Sequence, residues 1–262
     1  MTAHTSSPSL LGDLFSREFS ALCADTDAAR EEVFNLRFRV FCEELGCELQ
    51  TRNGMEIDDF DRHSLHCLIR HNATQEDVGC VRLVLPGKRG GHLPFEKHGL
   101  RFIDRKLLDW RKLDPTACCE ISRLAVLESF RRPVRLIDTP QHIGDVIALE
   151  ERRNRPRRLP PVVLALYQSA IAFALHYQFE YIFMAGEPRL QRHLATYNIT
   201  MRQVSPTFEY FGERAVFVAT RADFEAAVNS WNADKLDLYR YMYRAVTGEN
   251  PVDTSGRIGN IA

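Results

Sequence analysis

The chain has 262 residues, 45% of them hydrophobic and 10% aromatic, enough apolar material for one large or two modest buried cores. A formal net charge of −1 argues against nucleic-acid binding driven by overall basicity, and seven cysteines without CxxC or other ligand-like spacing argue against a disulfide framework or a structural zinc site. The first residues lack a basic segment followed by a sustained apolar run, and no later stretch approaches the ~20 apolar residues that span a bilayer, so a cytoplasmic protein without stable membrane insertion is expected.

Residues 1–27 read as an N-terminal extension. Residues 28–45, AAREEVFNLRFRVFCEEL, repeat apolar groups at helical spacing and stop at Gly46, a plausible C-cap. At ~100° per residue Phe34, Phe38, Phe41 and Leu45 cluster, with Val33, Leu36 and Val40 widening the stripe. Arg37 falls inside that arc and Arg39 nearly opposite. Arg37 therefore faces the interior, where a guanidinium wants a carboxylate. The next stretch, GMEIDDFDRHSLH (54–66), crowds Asp58, Asp59 and Asp61 into four positions, which repel unless cations are near.

SLHCLIRH (64–71) and VGCVRLVLP (78–86), joined by a polar turn, predict an antiparallel hairpin. The second strand is apolar on both faces, so Arg82, flanked by Cys80 and Val84, is a second buried cation. Residues 87–117 are loop-like, with Phe95 as the anchor. CEISRLAV (119–126) is a strand whose alternation would put Glu120 and Ser122 on one face and Arg123 on the other. Either each ion meets its own counter-ion, or a bulge swings both to one side.

Residues 127–160 form an irregular insertion whose eight arginines outnumber its acids. From Pro160 and Pro161 an apolar helix runs through VVLALYQSAIAFALHY, followed by the strand EYIFMAG, a helix opening near EPRLQRHLATY, and a hairpin over TMRQVSPTFEYFGERAVFVAT. Residues 222–247 offer one or two amphipathic helices within a tail, 222–262, outside a main domain of 28–221. Helix, three strands, helix, strand, helix and two strands make an α/β (α+β) protein with a mixed central sheet and flanking helices.

Arg37, Arg82 and Arg123 balance Asp58, Asp61 and Glu120. A buried network of six charges is a poor device for stability alone, so it points to substrate positioning or to tuning of a base. The residues equally allow an ordinary ion-pair network fixing the loop 50–63. Asp58, Asp61, His63 and His66 are conceivable metal ligands without a zinc signature, and Cys118 or Cys119 a conceivable nucleophile without a recognisable base.

The segments LRFRVFCEELG, GMEIDDFDRHSLHCLIRH, VGCVRLVLP, LPFEKHG, EISRLAV and EPRLQRHL, spread over about residues 31–220, resemble the acyltransferases associated with the PEP-CTERM/exosortase system. That family is related to N-acyl amino acid synthases and, more distantly, to acyl-homoserine-lactone (autoinducer) synthases. The element order resembles the GNAT-like acyltransferase fold, in which a bulged central strand splays from its neighbour to admit a thioester. Matched motif by motif, the resemblance implies Glu120 and Arg123 as catalytic residues and Arg37, Phe41, Asp58, Asp61, Arg82 and Phe95 as substrate-binding residues. Ser122 joins them by position, and Met184 is expected in the acyl pocket.

The implied reaction is aminolysis of a thioester, with Glu120 receiving the acceptor's proton and a backbone N–H freed by the bulge stabilising the oxyanion. Acyl-ACP or acyl-CoA would be a co-substrate, with no tightly bound cofactor, no metal and a small-molecule amine as acceptor. Two departures matter. Cys47 replaces the tryptophan of many autoinducer synthases, against S-adenosylmethionine as acceptor. RNRPRRLPP replaces the glycine-rich pyrophosphate loop of acetyl-CoA enzymes, so Arg152, Arg153, Arg155, Arg157 and Arg158 are expected to meet an acidic acyl carrier protein. An autoinducer-type synthase and a non-catalytic acyl-chain sensor are the competing readings.

Overall fold

The computed structural model describes residues 11–87, 92–131, 161–210 and 212–251. Helix α1 (Leu11–Glu18) passes directly into strand β1 (Phe19–Cys23). Helix α2 (Asp27–Arg37) starts at Thr26, whose hydroxyl accepts the Ala29 N–H at 3.2 Å, and continues as a π-helical segment, Phe38–Glu44. A tight pair, β2 (Thr51–Arg52) and β3 (Met55–Glu56), turns through Asn53 and Gly54, both at positive φ. Strands β4 (Ser64–His71) and β5 (Glu76–Val84) form the expected hairpin. After the short helix α3 (Pro94–His98) come β6 (Cys118–Val126), the single turn α4 (Glu128–Arg131), α5 (Pro161–His176), β7 (Tyr181–Gly186) and α6 (Pro188–Ala195). Two-residue strands β8 (Arg202–Gln203) and β9 (Phe208–Glu209) precede β10 (Glu213–Thr220), α7 (Arg221–Ser230) and α8 (Ala233–Thr247).

One sheet runs in the order β1-β4-β5-β6-β7-β10-β8, with β9 also on β10. Every pairing is antiparallel except β6 with β7. Strands apolar on both sides need cover on both sides. On one face lie α5 and α8; Gly79 of β5 lacks a Cβ where one would stand 2.8 Å from the Val162 side chain of α5. On the other lie α2 and residues of the segment between β5 and β6, whose Leu93, Phe95, Ile103 and Leu108 close a second core with Val84, Phe183 and Val216.

Two irregularities of β6 position the site. Its parallel ladder with β7 comprises only Cys118↔Tyr181, Cys119↔Ile182 and Glu120↔Phe183, after which β6 stays on β5 while β7 stays on β10. The sheet splays at Glu120. Against β5, the register slips between Cys80↔Ala125 and Arg82↔Ser122, so Arg123 and Leu124 share the place opposite Val81. That is a β-bulge, and within it Arg123 takes a left-handed φ of +50°.

Several expectations need correction. Residues 11–23 are no detached extension: β1 pairs along β4, and Phe15 and Phe19 stack at 5.1 Å within the core. The tail is integral as well, since α8 packs on α1 and α5, and Tyr241 meets Phe15 edge-on at 5.6 Å. Apolar short-range pattern was present in both segments, but only long-range pairing makes them part of the domain. The helix after residue 27 buries Val33, Leu36, Arg37 and Val40, whereas Leu45 is exposed. The π-helical turns shift the residues after Arg37 away from the 3.6-residue phase that a Phe34 to Leu45 stripe needs. The 87–117 loop contains α3 and three 3₁₀ turns. The basic insertion beyond Arg131 lies outside the described residues.

Candidate active site

Alternation along β5 sends Arg82 to the α2 face, and β4 sends His66 there beside it, as their pairing requires. Helix periodicity brings Arg37 down onto the same patch. Three guanidinia and three carboxylates then interlock. Arg37 grips Asp61 through Nη1 and Nη2 at 2.7 and 3.1 Å and also donates to Glu56. Arg82 donates through Nη1 to both Asp58 and Asp61, at 2.6 and 2.7 Å, and through Nε to Ser122 Oγ at 3.0 Å. Arg123, swung round by the bulge, reaches Glu56 at 2.9 Å and Asp58 at 3.0 Å through Nη2. The bulge thus resolves the conflict in CEISRLAV: Arg123 joins the face that Glu120 and Ser122 already occupy.

The sixth member is Glu56, not Glu120. Alternation gave no warning, because Glu56 sits in a two-residue strand, yet its position between Met55 and Ile57 just after an Asn-Gly turn was a usable sign of burial. Glu120 stands apart, 1% exposed, and accepts the Phe95 N–H at 2.6 Å from α3. Burial pushes its carboxyl up to about 8, against the opposing pull of the Phe95 N–H, Arg82 and Arg123, with Glu96 adding to the rise. The network carboxylates behave oppositely. Burial alone would raise Asp58 and Asp61, but Arg82 and Arg37 respectively, by charge and hydrogen bonding, hold them below the usual range.

The remaining expected site residues are distributed as follows. Phe95 is buried and stacks on Phe183 at 4.1 Å. Phe41 lies 6.0 Å below the Arg123 guanidinium. Met184 is not brought to this face; as the residue after Phe183 it turns to the opposite side of β7, into the core that includes α5. Arg152, Arg153, Arg155, Arg157 and Arg158 lie outside the described residues.

Burial drives the His66 imidazole down to about 3, and neither of its ring nitrogens has a hydrogen-bond partner among the described residues. Asp58 and Asp61 are taken up by arginine, and among the described residues no group of three or more His, Cys, Asp or Glu side chains could hold a metal ion. Burial also pushes the Cys118 thiol up to about 12 and Cys119 well above its ordinary value, which leaves neither as a thiolate nucleophile near neutrality. No helix among the described residues is long and apolar enough to cross a membrane. A cleft of about 1100 Å³, lined by Phe60, His63, Leu85, Glu96 and Trp110 among others, opens beside α3.

This arrangement unites a dry carboxyl with high proton affinity, a rigid charged scaffold on the same face, and a strand edge released from pairing. Residues 36–137 match the acetyltransferase (GNAT) domain family. No curated protein matches the chain. Among solved structures, a CoA-dependent acyl-homoserine lactone synthase, MesI, superposes with a TM-score of 0.53 at 14% identity, covering 88% of this chain and all (100%) of that one. The CoA-dependent acyl-homoserine lactone synthase BjaI, with SAM and isopentyl-CoA, gives 0.52 at 17%, covering 85% and 98%. FeeM, an N-acyl amino acid synthase from uncultured soil microbes, gives 0.51 at 10%, covering 80% and 94%. The chain has the GNAT-like acyltransferase fold.

Proposed function

We propose that the protein is an N-acyltransferase that moves an acyl group from a carrier thioester to the amine of an amino acid or similar small acceptor. The observation that carries this reading is Glu120: a buried carboxyl raised to about 8, at the last rung before the sheet opens. An amine acceptor arrives as an ammonium and must lose a proton before attack, and a base matched to that task titrates near the working pH. Glu120 takes the proton; the amine attacks the thioester carbonyl; the C–N bond forms, the C–S bond breaks and the thiol is released. A backbone N–H freed at the bulge would stabilise the oxyanion on the way.

The scaffold's exposure suggests where the acceptor sits. Arg123 and Asp58 side chains are 22% and 16% exposed, whereas Arg37, Arg82, Glu56 and Asp61 are at 5% or less. The acceptor meets Arg123 and Asp58, a cation and an anion side by side, which suits a zwitterion; the other four hold them in place. The N-acyl amino acid synthase and CoA-dependent synthases among the structural neighbours support the reaction class. The missing glycine-rich pyrophosphate loop, together with the arginines of 152–158, favours a long-chain acyl group delivered on an acidic acyl carrier protein that docks on those arginines.

The test is incubation with acyl-ACP and acyl-CoA of several lengths and a panel of amino acids, following thiol release and acylated product by mass spectrometry. An acyl amino acid is the expected product. A lactone formed from S-adenosylmethionine would replace the proposed acceptor, and thioester binding without thiol release would replace the enzyme by a sensor.

A further inference from the structure

Glu120 does not face the arginines alone. From β5 and β6 it meets the charges of Arg82 and Arg123, from the β9–β10 turn the phenol of Tyr210, from its own strand the thiol of Cys119, and from α3 the carboxylate of Glu96. Both arginines are already engaged, Arg82 by Asp58 and Asp61, Arg123 by Glu56 and Asp58. Burial is the main reason the Glu120 carboxyl holds its proton, both arginines oppose it, and the negative charge on α3 is the neighbouring charge that acts in the same direction as burial.

That charge is held in place by the same element that touches Glu120. Phe95 gives its N–H to Glu120 at 2.6 Å; Glu96, one residue on, turns its carboxylate back to the Leu93 N–H at 2.5 Å. Glu96 is 21% exposed and lines the cleft beside α3, with His92 3.6 Å away on the exposed side. No lysine or arginine among the described residues pairs with it.

We propose that Glu96 is a positioning residue for the reaction: its fixed charge, acting through Glu120, sets the strength of Glu120 as the base that deprotonates the acceptor. The two carboxylates are held by backbone N–H groups two residues apart at the start of α3, and a like charge on Glu96 makes proton uptake by Glu120 more favourable. Burial gives Glu120 a high proton affinity; Glu96 raises it further, against the arginines. This inference rests on the acyltransfer reading for its consequence in turnover, but its electrostatic part can be measured without any substrate.

Glu96→Gln separates charge from structure, because the amide oxygen still accepts from the Leu93 N–H and keeps the start of α3. The Glu120 carboxyl signal is followed by carbon NMR, identified by its disappearance in Glu120→Gln, and the pH profile of kcat/KM is recorded in parallel. In Glu96→Gln the Glu120 titration and the acid limb of the profile should both move to lower pH, by roughly half a unit or more. Glu96→Asp should restore most of the change, and all variants should retain the wild-type thermal transition near neutrality. An unmoved Glu120 titration in folded Glu96→Gln overturns the inference. If the titration moves but Glu120→Gln turns over as fast as wild type, Glu96 has no part in the reaction, and it is the assignment of Glu120 as base that has failed.

Discussion

Arg37→Met is expected to lower the free energy of unfolding by roughly 3–5 kcal/mol, the largest stability effect of any single substitution in the network. The argument is one of orphaned charge. Arg37 is fully buried, and its guanidinium is the common partner of Asp61, gripped by two nitrogens, and of Glu56. Methionine fills much of the volume but leaves Glu56 to Arg123 and Asp61 to Arg82, with one net negative charge enclosed where water cannot reach it. Burial already opposes the charge on Arg37 itself, and chiefly Asp61 and Glu56 keep it favourable. Arg37→Lys should recover part of the loss, since it restores the charge but its compact ammonium cannot reproduce the planar two-nitrogen grip on Asp61. Since domains are stable by only about 5–15 kcal/mol, a large share of the total should vanish. Urea unfolding followed by circular dichroism measures it, and a loss below about 1 kcal/mol would mean that the six charges are not coupled as described.

What the sequence made legible, and what it did not, follows the range of the forces involved. Arg37 and Arg82 could be assigned to the interior because helix and strand periodicity are local properties of VFNLRFRV and VGCVRLVLP. The bulge at Arg123 could be posed as one of two options, since a buried carboxylate and guanidinium on opposite faces of CEISRLAV is a local conflict. Its resolution depends on β5, through the slip between Cys80 and Arg82, and no single strand encodes that. The exchange of Glu120 for Glu56 in the ionic set has the same origin. Charge balance counts ions but does not say which are within reach, and a two-residue strand is too short to show an alternation. Residues 11–23 and 233–247 join the domain through long-range packing that no local pattern encodes: their apolar faces are covered by each other, and Gly12 lets them close, its N–H reaching the Asp237 carboxylate at 2.8 Å across 225 positions of chain. Met184, expected in the acyl pocket, lies on the face of β7 opposite Phe183, in the core that includes α5.

Glu120→Gln carries the largest expected effect on activity, a loss of roughly 10²- to 10⁴-fold in turnover, the usual contribution of a positioned base. Glutamine keeps the shape and can still accept the Phe95 N–H, so the loss isolates the proton-transfer role. In the wild type the rate should climb with pH through the neighbourhood of 8, where Glu120 becomes a carboxylate. The acid limb belongs to the enzyme, and so it should hold its position when the acceptor is exchanged for one of different amine basicity; the residual rate of the variant should lack it. Stability supplies an independent reading of the same group. Glu120 has its carboxyl raised from 4.5 to about 8, so its contribution is complete below about 4.5 and is lost as pH rises through 8. His66, lowered from 6.5 to about 3, works in reverse, contributing fully above 6.5 and losing its share as pH falls. Between 4.5 and 6.5 the two slopes oppose each other, and outside that window each acts alone, joined at the acid end by Asp58 and Asp61. The melting temperature should therefore be nearly level across that window and fall on either side, and Glu120→Gln should remove the alkaline fall while leaving the acid one. A variant that kept the alkaline fall would place the proton elsewhere than on Glu120, and the base would have to be sought in another residue.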